Sequence, residues 1–268
     1  MENEKKTNFK EIVRWLIVIA FLIFIIYSWV LNKNANQFLE SGFLKQKSYK
    51  IISQNINESG NGYEIKGQIP LSDNVPAFNN YLIYLIQARI DSFKKDFAKV
   101  DKSVFPSTMQ NITSTLWIDF SLITASPRMI SLLLNSEEYI LGMVHPMHSF
   151  YSVNYDLLKS KDIFLDDLFN VSSQDYLNIL ANYSKEDILR QIKSGNYESS
   201  LEYINQSGGL LPDLVNFKVF NITPSGLLIT FSEYQVGPYV AGITNVNIPW
   251  IKIKEITNLS YVRSLVSF

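Results

Sequence analysis

Only two histidines occur in the chain, His145 and His148, three residues apart in the phrase His-Pro-Met-His. A catalytic zinc ion needs three protein ligands, and Asp156 or Glu138 can be put forward as the third. On a strand, however, a spacing of three turns the two rings to opposite faces. Pro146 also disfavours a helix, because the residue before a proline avoids the α region. The residues therefore favour no metal, with His145 hydrogen-bonded at a turn. Asp162, Asp166 and Asp167 offer paired carboxylates of the kind that hydrolyse a sugar bond. Acidic residues also belong at the positive end of a helix, and Asp166 and Asp167 are read as opening a short one over 166–169. The most distinctive loop is Tyr234 to Gly242 (YQVGPYVAG), in which Gly237 and Pro238 shape the backbone. Tyr234 and Tyr239 are candidates for stacking or protein contact there, against the simpler role of core packing. No nucleophile elbow, phosphate loop or dinucleotide fingerprint is present. No catalytic residue and no cofactor are assigned; the ligand-binding candidates are Tyr234, Tyr239, His145, His148 and Asp156.

Composition narrows the classes further. The 268 residues are 47% hydrophobic and 18% charged, with net charge −1, and the Lys and Arg residues are scattered. A nucleic-acid binder would show a basic face, so no nucleic-acid partner is expected. Cysteine is absent, which excludes disulfides, thiolate metal sites, thiol catalysis and an acylated lipoprotein cysteine. Fifteen Tyr and 17 Phe can fill a core well.

The elements that must position these residues begin with an anchor. Residues 15–31 (WLIVIAFLIFIIYSWVL) carry no charge. Counted from Ile12 the segment spans ~30 Å as a helix, the thickness of a bilayer core. Trp15 at one end, with Tyr27 and Trp29 at the other, resembles an interfacial aromatic belt. No small-residue cleavage site follows Leu31, so the helix is read as an uncleaved signal-anchor. Lys5, Lys6, Lys10 and Arg14 precede it, whereas Lys33 and Lys45 follow. The positive-inside rule then places residues 1–14 in the cytoplasm and the C-terminal part outside. Residues 32–45 read as a polar juxtamembrane linker.

From residue 46 to 268 the pattern is α+β, with possible subdomains 46–110 and 111–268. Tyr49, Ile51 and Ile52 introduce a strand, and Ile65, Ile69 and Leu71 a second, with Asn61-Gly62 as the hairpin turn. Pro76 to Lys99 has a helical period, with Asp73 or Asn74 as its cap. Leu116, Ile118, Phe120 and Leu122 alternate with polar neighbours as one face of a strand. Met129–Leu134, Tyr139–Met143 and Phe150–Tyr155 continue the series, and neighbouring strands without helices between them imply antiparallel pairing. A helix follows Ser172 or Ser173, and Ser184-Lys-Glu-Asp187 resembles a capping box that starts another. A short helix over 198–206 ends at Gly208-Gly209. Strands are expected at 215–222, 227–233 and 244–249, the first two joined by a turn at Asn221–Gly226.

The order of these elements and two phrases resemble a known bacterial family. Gly142, His145 and Pro146, then Asn154 and Asp156, then Leu165, Asp167, Leu168 and Phe169 fit its first block. Tyr234, Val236, Pro238, Tyr239, Gly242, Ile248 and Pro249 fit its second. This domain family of largely unknown function forms the extracellular part of the anti-sigma factor RsiV, and it precedes the catalytic domain of the peptidoglycan deacetylase PdaC. The resemblance spans most of the chain beyond the anchor. It implies an extracytoplasmic domain whose ligand is a protein such as lysozyme or a cell-wall fragment. The segment before the anchor is too short to hold a sigma factor, and no deacetylase domain follows. The expected function is thus a non-enzymatic binding or sensing module of the cell envelope. The alternatives are a peptidoglycan hydrolase or deacetylase using His145, His148 and nearby carboxylates, and a structural envelope protein.

Overall fold

A glycine at the second place of a two-residue turn can take the positive φ that closes a hairpin, and Gly62 does so at +91°. In the computed structural model, which describes residues 49–266, it joins strand β1 (Ile51–Gly60) to β2 (Tyr63–Ser72). The strands are antiparallel, with Gly60 opposite Tyr63. Next comes helix α1 (Pro76–Phe97), whose proline occupies the first turn where its missing N–H costs nothing. Asp73 and Asn74 do not cap it: Val75 holds the cap position without a side-chain bond. Asp73 instead accepts the Lys50 N–H at 2.8 Å, and Asn79 ties the helix back to Ser72 with two bonds of 2.7 Å. Phe78, Leu82, Ile86, Ile90 and Phe93 form its buried face, as the period requires.

Strand β3 (Ser114–Ala125) lies parallel to β2, from Tyr63 opposite Ser114 to Gly67 opposite Ile118. A parallel pair needs a long crossover, and α1 supplies it. The remaining pairs in this sheet are antiparallel, as expected. Gly67 (φ +152°) sits where a Cβ would run into the Ile118 carbonyl, so only glycine allows the two strands to close there. The alternation of β3 breaks at a bulge between Leu122 and Thr124. Leu122, expected on the inward face, is exposed, and Thr124 is buried instead with its hydroxyl on the Ile222 carbonyl.

Strands β4 (Met129–Tyr139), β5 (Met147–Asp156) and β6 (Lys161–Asp162) complete a sheet of order β1-β2-β3-β4-β5-β6. Tyr139 to Met143 adds no separate strand: β4 ends at Tyr139 and a turn follows, closed by Met143 N–H on Ile140 O. A single helix α2 (Ser173–Lys193) then starts at Ser172, whose side chain accepts the Asp175 N–H. It runs straight through the expected second start at Ser184. Tyr176, Leu180, Ser184 and Ile188 recur every four residues and all face inward, so the apolar stripe overrides the local capping pattern. The short helix α3 (Leu201–Ser207) ends at Gly208 with φ +70°, as its sequence requires.

The second sheet has order β7-β8-β9, from Phe220–Ile222, Gly226–Phe231 and Thr244–Pro249. Only the last three residues of the strand expected over 215–222 are extended, and Leu214–Asn216 is a 3₁₀ turn. Helices α4 (Trp250–Ile253) and α5 (Leu259–Leu265) close the chain. Two cores result. Ile65, Phe78, Leu82, Phe93, Leu116 and Leu132 pack between α1 and the six-stranded sheet. Tyr176, Leu180, Phe217, Ile229, Val246 and Trp250 pack around the three-stranded sheet. The sheets meet through buried amides. Asn154 accepts from Ser131 Oγ (2.7 Å) and Ile222 N (3.1 Å) and donates to Phe220 O (2.8 Å), while Asn221 donates to Leu132 O (2.8 Å). Among the described residues no helix is long and apolar enough to cross a membrane, and the tail 1–14, the anchor expected at 15–31 and the linker 32–45 all lie outside them.

Candidate functional site

The loop between β4 and β5 is shaped before it reaches the histidines. Leu141 N–H is held by Ser114 Oγ at 3.0 Å, and Gly142 takes φ +103° against the Phe105 ring. His145 then lies in the loop and His148 on β5, so the rule of opposite strand faces does not govern the pair. His145 Nδ1–H donates to Pro146 O at 2.8 Å. In the neutral ring this leaves Nε2 to accept from the Tyr234 hydroxyl, 3.2 Å away. The imidazole also stacks on Tyr239, with ring centroids 4.1 Å apart, and the Tyr239 hydroxyl donates to Pro146 O at 3.4 Å. His145, Tyr234 and Tyr239, chosen from two separate phrases of the sequence, therefore form one aromatic cluster.

The loop bearing the tyrosines is braced from beneath. Ser199 Oγ donates to Val236 O (2.7 Å), Tyr203 OH to Tyr234 O (3.1 Å), and Gln235 Nε2 to Asn216 O (2.8 Å). Tyr234 sits at φ +66°, a left-handed conformation that costs a side-chain-bearing residue about 1–2 kcal/mol. Such strain persists only where the surroundings over-determine it, and it gathers at binding sites. Tyr234 remains 47% exposed despite these ties, and Val144 (97%) and Val240 (78%) flank the cluster with apolar surface. Fixed, exposed aromatic and apolar groups of this kind suit contact with a sugar ring or another protein.

His148 adds a charged margin. Its Nε2 lies 3.1 Å from Glu137 Oε2, directly across the β4–β5 ladder, and its Nδ1 lies 2.9 Å from Glu233 Oε1, off the line of a hydrogen bond. Because the carboxylates address opposite nitrogens of one ring, they cannot share an ion with it. Among the described residues no group of three His, Cys, Asp or Glu is placed to hold a metal. Glu138, considered as a third ligand, turns to the other face and pairs with Arg89 at 2.7 Å.

Asp156 does not join the cluster. It stands eight residues along β5 from His148, ~25 Å away at strand rise. There it is fully buried, accepting from Leu158 N (2.9 Å), Lys159 N (3.0 Å) and Tyr261 OH (3.1 Å), with Arg128 at 3.4 Å. The Tyr261 hydroxyl is pushed above its ordinary pKa by burial and by that carboxylate. The three carboxylates weighed for hydrolysis are likewise committed. Asp162 accepts the Tyr81 hydroxyl, and its burial raises its pKa. Asp166 accepts from Ser173 Oγ (2.8 Å) and Tyr176 OH (2.7 Å). Asp167 accepts the Phe164 N–H (2.9 Å) at the start of a 3₁₀ turn, Leu165–Leu168, rather than an α-helix. Glu137 and Glu233 are the site residues that sequence reasoning missed. Glu233 adjoins Tyr234 in the chain, a signal that was available; Glu137 becomes visible only through the strand register.

Fold and site together describe an α+β domain of two sheets and packed helices that displays a braced aromatic patch at the end of one sheet. Comparison with known proteins attaches a family to part of it: residues 161–251 match a family described as a protein of unknown function, DUF3298. The matched segment contains the Tyr234–Tyr239 loop and ends in α4, while His145 and His148 lie before it. A crystal structure of a DUF3298 family member from Bacteroides fragilis has a TM-score of 0.58 at 15% identity, covering 82% of this chain and 99% of that one. A DUF3298 family protein from Pseudomonas aeruginosa has a TM-score of 0.56 at 11% identity, covering 79% and 94%. At these identities the likeness is one of fold. No curated protein matches the chain.

Proposed function

We propose that this protein is a membrane-anchored, extracytoplasmic binding or sensing module of the bacterial cell envelope, similar to the extracellular domain of RsiV. Its ligand docks on the aromatic patch of His145, Tyr234 and Tyr239. The observation that carries the reading is the patch itself: an imidazole stacked at 4.1 Å on Tyr239 and bonded to a Tyr234 held in a left-handed conformation, yet open to solvent. Preorganised aromatic surface gives contact area at low entropic cost. The DUF3298 match over 161–251 supports the family side of the reading. The charge-free run 15–31, with its basic residues ahead of it, supports the anchor and its orientation. The engagement of Asp156, Asp162, Asp166 and Asp167 in internal hydrogen bonds favours binding over hydrolysis.

The test is retention of lysozyme and of soluble muropeptides by the immobilised full-length chain, with turnover of both peptidoglycan and its acetyl groups followed in parallel. Retention of either without turnover supports the proposal. Turnover that disappears in His145→Ala would replace it with the hydrolase or deacetylase reading, and loss of retention with no turnover would favour a structural role. Protease accessibility of the C-terminal domain in spheroplasts tests the orientation: protection from external protease contradicts it.

A further inference from the structure

Strand β5 pairs with β4 along its whole length, but β6 covers only Tyr155 and Asp156 on its other side. The parity of its free groups follows from two bonds at its end. Leu157 N–H reaches Arg128 O at 2.8 Å on the β4 side, whereas Asn154 O accepts Ile163 N–H at 2.7 Å on the outer side. Even-numbered residues therefore turn their N–H and C=O groups outward. Those of His148, Phe150 and Ser152 meet no backbone partner among the described residues. Beside this edge, α1 covers β2 and β3 and leaves a cleft of about 350 Å³ over β4 and β5. Its walls include Leu85, Ala88, Arg89 and Ser92 from the helix, the arginine held in an ion pair with Glu138, and Leu134 and Tyr151 from the sheet. Tyr151 is 49% exposed and Met147 40%, both on the cleft side of the strand.

An edge strand with open ladder groups beside a helix-walled apolar cleft is the arrangement that receives an extended peptide as an added strand. We propose that β5 and α1 together form such a site, which adjoins the aromatic patch at His148 without using its stacked rings, and that its occupant is an extended peptide segment of another protein. The peptide backbone completes the ladder at His148, Phe150 and Ser152, and every second side chain enters the cleft, because alternate residues of a strand share a face. Charge sets its chemistry further. Glu137 and Glu233 stand at the His148 end, and the exposed Lys218 stands at the Ser152 end, where its carbonyl accepts from Ser152 Oγ. The fitting peptide has alternating apolar residues, a basic residue at the Glu137 end and an acidic one at the other.

Selection of random dodecapeptides displayed on phage against the full-length chain tests this. Enriched peptides are expected to carry the alternating pattern, and a synthetic copy is expected to slow amide exchange at His148 and Phe150. N-methylating alternate amides of that copy removes its ladder donors and is expected to weaken binding about tenfold. Ala88→Trp or Ser92→Trp, both exposed helix positions that line the cleft, are expected to weaken it at least as much while leaving the melting temperature within a few degrees. Tyr239→Ala is expected to leave it unchanged. The proposal is overturned if no peptide is enriched over an unrelated control protein. It is equally overturned if the enriched peptides are indifferent either to N-methylation or to both cleft variants.

Discussion

Asn154 ties the two sheets together through two hydrogen bonds, to Phe220 O and from Ile222 N–H, at a site that is only 3% exposed. Replacing it with alanine leaves Ile222 N–H and Phe220 C=O without their partner inside the joint, since neither residue has water access to speak of. Each stranded buried group costs about 1–3 kcal/mol, and the small cavity adds to it. Ser131 Oγ loses one bond but keeps that from Asn221 Nδ2 at 2.9 Å, so it adds little. The expected loss is roughly 2–5 kcal/mol, a large part of the 5–15 kcal/mol that stabilises an ordinary domain. For a domain of this size that corresponds to a melting temperature lower by roughly 5–15 °C. Urea titration of the full-length chain measures the loss, with Asn57→Ala on exposed β1 as a control expected to stay within about 0.5 kcal/mol. A loss below about 1 kcal/mol for Asn154→Ala would refute the argument, because the joint would then be satisfied by groups other than this amide.

Two further outcomes follow from buried polar groups. Burial raises the Asp162 pKa above its ordinary 3.8, so the folded protein binds this proton more tightly than the unfolded chain and stability falls as pH rises from about 4 through the raised value. Asp162→Asn is expected to remove that part of the slope in urea midpoints measured against pH; an unchanged slope would contradict it. The Ser184 hydroxyl is buried on the inward face of α2 with no hydrogen-bond partner among the described residues, so Ser184→Ala is expected to stabilise by about 0.5–1 kcal/mol through helix propensity and removal of the orphaned group. A lower melting temperature for that variant would show that the hydroxyl is satisfied.

Most elements could be read from period alone, because α1 and the β1–β2 hairpin carry strong, uncontested signals. The misreadings have local causes. Ser184-Lys-Glu-Asp187 looks like a helix start, but the inward stripe of Tyr176, Leu180, Ser184 and Ile188 crosses it without a break. Leu122 keeps the alternation of β3 in sequence and loses it in space, because a bulge carries no clear residue signature. The strand at 215–222 is mostly absent because side-chain amides, not a long ladder, hold Phe220–Ile222 in place. The site was half legible. His145, Tyr234 and Tyr239 were found by residue type, although 89 positions separate His145 from Tyr234. Asp156 stands only eight residues from His148 in the sequence, a separation that the rise of β5 converts into distance. Asn154 and Asp156, prominent in the family phrase, turn out to hold a sheet joint and a turn.

Titration of lysozyme and of purified muropeptides into the full-length chain, compared with its Tyr239→Ala and Tyr239→Phe variants, bears most directly on the aromatic patch. The patch is expected to bind at least one of these probes. Tyr239→Phe, which keeps the ring stacked on His145, should bind within a few fold of the parent, whereas Tyr239→Ala should bind at least about tenfold more weakly, as the loss of a stacked aromatic anchor implies. Equal affinity of all three proteins, or no binding of either probe by the parent chain, would contradict the account.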